Sequence, residues 1–173
     1  MSGLKTVFET AITDTWTATQ GLTKGDKPGD IRWVQSSDST GPKCYKCVIL
    51  NNGSDNIAPI IGLAAYYYGV AGDPLATGYD ASTVTMDRTD FYGQAAGIWI
   101  SIPADASRCW IQIKGLATGI STLLNGNVTD GGTLTGVGAA IDGELDLPTN
   151  IDDPLVGFVI DETAFTIICD FPF

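Results

Sequence analysis

Residues 96–103 read AGIWISIP and residues 109–117 read CWIQIKGLA, and both stretches alternate between two faces. The isoleucines of the first stretch share one face and Trp99 lies on the other, while Trp110 lies opposite the isoleucines of the second. A period of two is typical of β-strands that bury one face. The intervening PADASR favours a chain reversal. These residues predict two half-buried strands of a scaffold, without a cluster of catalytic side chains.

Strand-like segments recur along the rest of the chain. They span residues 31–36, 43–50, 60–70, 83–87, 155–160 and 164–171, and Gly- and Asn-rich turns separate them. The first two flank a short turn and predict a hairpin. Residues 63–68 have spacing compatible with a short helix, but their three consecutive tyrosines favour a strand. About eight short strands predict an all-β fold, a compact sandwich or barrel with long turns.

The N-terminal region differs from the strand-rich remainder. Residues 1–28 are rich in threonine, and Phe8 and Trp16 are their large apolar side chains. An edge strand of the same domain fits this stretch, and so does an extended arm that adds a strand to a neighbouring subunit. Residues 29–173 hold the predicted strands and are interpreted as a single β domain.

The charge balance and the missing histidine exclude several classes of function. Twenty acidic and nine basic residues give a net charge of −11, and the scattered basic residues make nucleic acid a poor partner. The absence of histidine excludes Ser-His-Asp catalysis and histidine-ligated zinc, so we expect neither an enzyme nor a cofactor. Without a long apolar run or the layout of a signal peptide, we expect no membrane partner and synthesis in a cytoplasm.

The cysteines and the acidic turns are the remaining candidates for a ligand site. Cys44 and Cys47 have the C-x-x-C spacing, but in a strand-like run they point to opposite faces. Buried thiols are therefore the favoured interpretation, with a four-cysteine zinc site or a disulfide as alternatives. The carboxylates at 142–146 and the oxygen-bearing side chains at 125–130 favour solvated turns, with a cation site as the alternative.

Large aromatic side chains are the candidate contact residues. If the isoleucine faces line the core, Trp99 and Trp110 lie on an outer surface that either a second layer of this chain or another subunit covers. Aromatic side chains at such surfaces often carry much of the binding energy. We therefore select Phe8, Trp16, Trp99 and Trp110 as candidate partner-contact residues.

Several short motifs together resemble the head decoration, or cement, proteins of tailed bacteriophages. The strand at 109–117 contains WIQIKGLA, a Gly- and Asn-rich turn follows at 125–133, and VGFVID follows at 156–161. Upstream, GDIRWV at 29–34 and the lysine-bearing strand at 43–50 are similar to the opening strands of such proteins.

This resemblance implies a structural virion protein on the exterior of a phage head, synthesised in the host cytoplasm. Its partner would be the major capsid protein, whose adjacent subunits it would clamp, and it would act as a trimer or dimer. The negative charge fits an exterior position because packaged DNA would repel it. The alternative is a carbohydrate- or receptor-binding module of a phage fibre or tail, in which Tyr66, Tyr67, Tyr68 and exposed tryptophans stack on sugar rings.

Overall fold

The computed structural model describes residues 11–17, 26–35, 40–69, 82–119, 122–137 and 141–171, except for the side chain of Tyr92. These residues form nine β-strands and one short 3₁₀ helix, Arg88–Asp90. The strands are β1 (Ile31–Gln35), β2 (Pro42–Leu50), β3 (Ala64–Tyr68), β4 (Thr83–Thr85), β5 (Phe91–Trp99), β6 (Arg108–Thr118), β7 (Thr133–Thr135), β8 (Leu155–Asp161) and β9 (Thr166–Asp170). Within the described ranges, no helix has the length and apolar character needed to cross a membrane.

The all-β prediction is confirmed. The segments at 31–36 and 43–50 form the antiparallel pair β1–β2, and the last two predicted segments form the antiparallel pair β8–β9. Residues 60–70 contain the strand β3, as the tyrosine run predicts. The strand β7 has no counterpart among the predicted segments; it begins at the end of the Gly- and Asn-rich stretch 125–133, which is interpreted above as a turn.

All nine strands belong to one sheet that closes on itself in part. Its order is β1-β2-β4-β3-β5-β6-β9-β8-β7, and an additional pairing of β2 with β6 closes a ring of five strands, β2-β4-β3-β5-β6. β1 extends from β2 outside the ring, and β9, β8 and β7 extend from β6. The long strands β2 and β6 therefore belong both to the ring and to the parts of the sheet outside it. The result is ring-like in part and not a complete barrel.

The central strand β6 is buried on both faces, which corrects the prediction of a half-buried strand. Cys109, Ile111 and Ile113 point into the main core, where they pack with residues from β2, β3 and β5. Trp110, on the opposite face, belongs to a separate buried cluster. Period-two alternation identifies the two faces of a strand correctly, but it does not reveal that a second layer covers the outer one.

The strand predicted at residues 96–103 is also shorter than its alternating pattern indicates. β5 ends at Trp99, and Ile102 is 60% exposed. Beyond Trp99 the chain leaves β6 and approaches the end of β2, where the backbone N–H of Leu50 donates to the carbonyl of Ser107. Of the three isoleucines, only Ile98 therefore belongs to the main core.

The second cluster contains a residue from the N-terminal region. Trp16, Cys47 and Trp110 are its buried members, and partly buried side chains surround them: Ile12, Tyr45 and Ile100. The Trp16 backbone forms an antiparallel bridge with Arg108 at the start of β6. In residues 11–17, the N-terminal region therefore packs on its own chain.

An arginine of β1 covers the same cluster from the side. The guanidinium carbon of Arg32 lies 4.4 Å from the centroid of the Trp110 ring, within range of a cation–π interaction. Its Nη2 atom is 3.0 Å from Asp26 Oδ1. Residues from three separate parts of the sequence therefore shield the outer face of β6 from water.

We predict that Trp16→Ala lowers the free energy of unfolding by about 3–5 kcal/mol, as is typical of a buried tryptophan truncated to alanine. The matched control is Thr15→Ala, an exposed neighbour that should change stability by less than about 0.5 kcal/mol. Urea denaturation of both variants measures the difference. Equal stability of the two variants would show that this segment contributes nothing to the folded body.

Candidate docking surfaces

The selected aromatic residues do not form an exposed contact surface. Trp16, Trp99 and Trp110 are at most 2% exposed, and Phe8 lies outside the described residues. For Trp110 the structure shows the second layer from the same chain, the cluster with Trp16 and Cys47. Trp99 belongs to the main core together with Ile98, so the expectation that it lies on an outer surface is wrong. Trp33 is instead the described tryptophan that reaches solvent, with 59% of its surface exposed.

The tyrosine run is likewise not available for stacking. Tyr66 and Tyr67 are at most 1% exposed, and Tyr68 is half-buried. The Tyr66 hydroxyl donates to the carbonyl of Glu144 at 2.5 Å, and the Tyr67 hydroxyl accepts from Lys46 Nζ at 3.0 Å. These hydroxyls satisfy buried polar groups, so the sugar-stacking role expected for this run is wrong for Tyr66 and Tyr67.

The cysteines are buried free thiols, as the favoured interpretation predicts. Cys44 lies in the main core and Cys47 lies in the second cluster, on the other side of the same strand. Two sulfurs on opposite faces cannot bind one zinc ion, and the disulfide alternative is wrong because all four thiols are free. Burial, together with the nearby Asp26 and Asp30 carboxylates, raises the pKa of Cys47 to about 12.

The acidic turns use their carboxylates as turn-stabilising acceptors. Asp142 accepts a hydrogen bond from the backbone N–H of Arg88, and Asp146 accepts one from Asn125 Nδ2 at 3.0 Å. Glu144 accepts from the backbone within its own turn. No three metal-ligating side chains converge within the described part of the chain.

Asp87 is a buried carboxylate that no sequence motif singles out. It is 1% exposed and accepts hydrogen bonds from the backbone N–H and the hydroxyl of Thr89 and from the backbone N–H of Asp55. Burial raises the pKa of Asp87, but these hydrogen bonds outweigh it and hold the pKa below the ordinary value of 3.8. The carboxylate links the loop after β2 to the 3₁₀ helix, so its role is structural.

An apolar surface lies along β8 on the outside of the sheet. Leu155, Phe158 and Ile160 are between 43% and 56% exposed, and we call these three residues the β8 face. The strand register places Phe158 beside Ile168 of β9, and Ile168 beside Leu116 of β6. Both of these neighbours are half-buried, so they extend the apolar surface across three strands.

A glycine sets the direction of the side chains on β8. Gly157 has φ +155°, and a Cβ atom there would overlap the carbonyl oxygen of Ile168. On either side of Gly157 and Phe158, both Val156 and Val159 are fully buried in the main core. Simple alternation would put these two valines on opposite faces, so the unusual backbone at Gly157 is what lets both valines point inward.

The β8 face lies in the most acidic part of the chain. Residues 115–173 contain nine carboxylates and no lysine or arginine, so all nine basic residues are scattered over the first 114 positions. Asp152 and Asp153 precede β8, and Asp161 and Glu162 end it and begin the next turn. The surface is therefore apolar in its centre and negatively charged at both ends.

A pocket of about 340 Å³ adjoins the far end of the β8 face, at the turn between β8 and β9. Leu124, Val128 and Phe165 supply its apolar lining, and Thr129 and Glu162 supply polar groups. Phe165 has φ +50°, a conformation that bulky residues rarely adopt, and it also packs against the main core.

Comparisons of the chain with models of known protein families, with curated proteins and with solved structures found no match in any of the three.

We predict that Cys47→Ala reduces the loss of stability at high pH. The pKa of this thiol is raised from 9.0 to about 12 in the folded chain, so its contribution is complete below about pH 9 and is lost as the pH rises further. Between about pH 8 and pH 10, wild type should lose on the order of 1 kcal/mol more stability than the variant. Urea unfolding at the two pH values measures this, and parallel losses in the two proteins would contradict it.

Proposed function

We propose that the chain is a structural protein of a phage virion, not an enzyme, and that it binds the exterior of the head and stabilises contacts between subunits of the major capsid protein. The β8 face carries this proposal. Three large aliphatic or aromatic side chains exposed on one strand are typical of a surface that another protein covers. The motifs that resemble head decoration proteins supply the identity of the partner.

The charges beside the β8 face define the complementary surface. Asp152 and Asp153 at one end and Asp161 and Glu162 at the other suit an apolar patch flanked by lysines or arginines. Lys114, the last basic residue of the chain, is already ion-paired with Asp170. A capsid surface with a basic rim would therefore gain both apolar contact and favourable charge, and repetition over many copies would strengthen modest single contacts.

The overall charge supports an exterior position. A protein with a net charge of −11 is repelled by densely packed DNA phosphates, whereas the outer surface of a head imposes no such repulsion. The groups that could otherwise suggest catalysis have structural partners: Asp87 is held by Thr89 and Asp55, and the Tyr66 hydroxyl by Glu144.

The pocket beside the β8–β9 turn favours the second candidate, a carbohydrate- or receptor-binding module. Thr129, Thr163 and Glu162 offer hydroxyl and carboxylate groups above an apolar floor. Sugar sites usually pair such groups with an exposed aromatic ring. Here the ring of Phe165 is half-buried, so this candidate has less support. Specific hits on a glycan array that Glu162→Gln abolishes would favour it.

We predict that Ile160→Glu weakens binding to heads prepared without this chain by at least about tenfold, because it puts a charge where an apolar side chain is buried on binding. The matched control is Ile102→Glu, the same change at another exposed isoleucine away from β8. Co-sedimentation with the heads measures binding, and thermal unfolding confirms that both variants are folded.

Quantitative mass spectrometry of intact virions provides the independent test. The proposal expects a fixed copy number relative to the major capsid protein and accessibility to antibodies on unopened heads. Absence of the chain from virions would overturn the proposal, as would equal binding of wild type and Ile160→Glu.

A further inference from the structure

β1 is an edge strand with an unusual apolar character. It stands at one end of the sheet order and pairs with β2 on one side, and no other described strand pairs with its second side. Edge strands of monomeric proteins usually carry charged residues or proline that discourage further pairing. Here Ile31 and Trp33 are 41% and 59% exposed, and Gln35 is the third exposed residue.

The backbone groups on this outer edge belong to the same three residues. The N–H of Cys47 donates to the carbonyl of Asp30, immediately before β1. In an antiparallel ladder, bonded positions alternate, so Arg32 and Val34 continue the bonding to β2. Ile31, Trp33 and Gln35 therefore direct their N–H and C=O groups away from β2. Proline at position 42, opposite Gln35, agrees with this alternation because it has no N–H to donate.

We propose that the β1 edge pairs with the β1 edge of a second copy of this chain, antiparallel and about a two-fold axis at Trp33. In this register Trp33 lies opposite Trp33 of the second copy, and Ile31 lies opposite Gln35. The free backbone N–H and C=O groups of Ile31, Trp33 and Gln35 then lie opposite the same groups of the second copy, which gives about six backbone hydrogen bonds. The two sheets become continuous, and the two Trp33 side chains lie beside each other on one face.

The charge distribution favours a second copy as the occupant. In the proposed register Arg32 lies opposite Val34 of the second copy, so no like charges face each other, and Arg32 is already ion-paired with Asp26 at 3.0 Å. The strand β8, which acidic turns flank, lies near the other end of the sheet order from β1. Residues 26–46 contain four basic and three acidic residues, so the edges that meet are close to neutral.

This inference does not depend on capsid binding, because the dimer would form in solution. A pair of five-residue strands is a small interface, and we expect a dissociation constant in the micromolar range. Sedimentation equilibrium of the full chain should therefore show a monomer–dimer equilibrium. Hydrogen exchange should show that the amides of Ile31, Trp33 and Gln35 become protected as the concentration rises, while those of Arg32 and Val34 do not change.

We predict that Trp33→Lys weakens the dimer at least tenfold, because it places two ammonium groups side by side at the two-fold axis. Ile102→Lys, the same addition of charge at an exposed isoleucine outside the sheet, should leave the dimer unchanged. Far-ultraviolet circular dichroism checks that both variants fold. A wild-type chain that remains monomeric at high concentration overturns the proposal, and so does a dimer that Trp33→Lys does not weaken.

Discussion

The fold depends on the burial of β6 on both faces. Its inner side chains, such as Ile111, fill the main core, while Trp110 on the outer face packs against Trp16 and Cys47. Both edges of β6 are also paired: β2 lies along one edge, and β5 and then β9 lie along the other. The ring pairings of β5 with β6 and of β2 with β4 span only two residues each, so the apolar packing around β6 helps to keep the ring closed.

The same arrangement places the two proposed contact surfaces at opposite ends of the sheet order. β1 leaves the ring through β2, and its outer edge is apolar and nearly neutral. β9, β8 and β7 leave it through β6 and carry the acid-flanked β8 face. A dimer formed through β1 would therefore keep both β8 faces available for a larger partner. Two binding faces on one rigid assembly would bind a repetitive lattice by avidity.

Local pattern predicted most of the strands but little of the candidate surfaces. Alternation and turn residues located β1, β2, β8 and β9, since these depend on neighbours in sequence. The burial of Trp110 could not be predicted because its cover, Trp16, lies in a remote part of the sequence and contacts it only through tertiary packing. Trp33 is exposed because its strand, β1, lies outside the ring. The inward direction of Val156 depends on the backbone at Gly157. Neither the position of a strand in a sheet nor such a backbone irregularity is encoded in hydrophobic periodicity.

Native-state hydrogen exchange tests the central role of β6 most directly. If both faces of this strand are held by packed cores, the amides from Cys109 to Ile113 open only when the whole chain unfolds, so their opening free energy equals the free energy of global unfolding. The amides of β7, with only three residues in its strand, should open at lower free energy. Exchange of the β6 amides through local opening, well below the global value, would contradict the account.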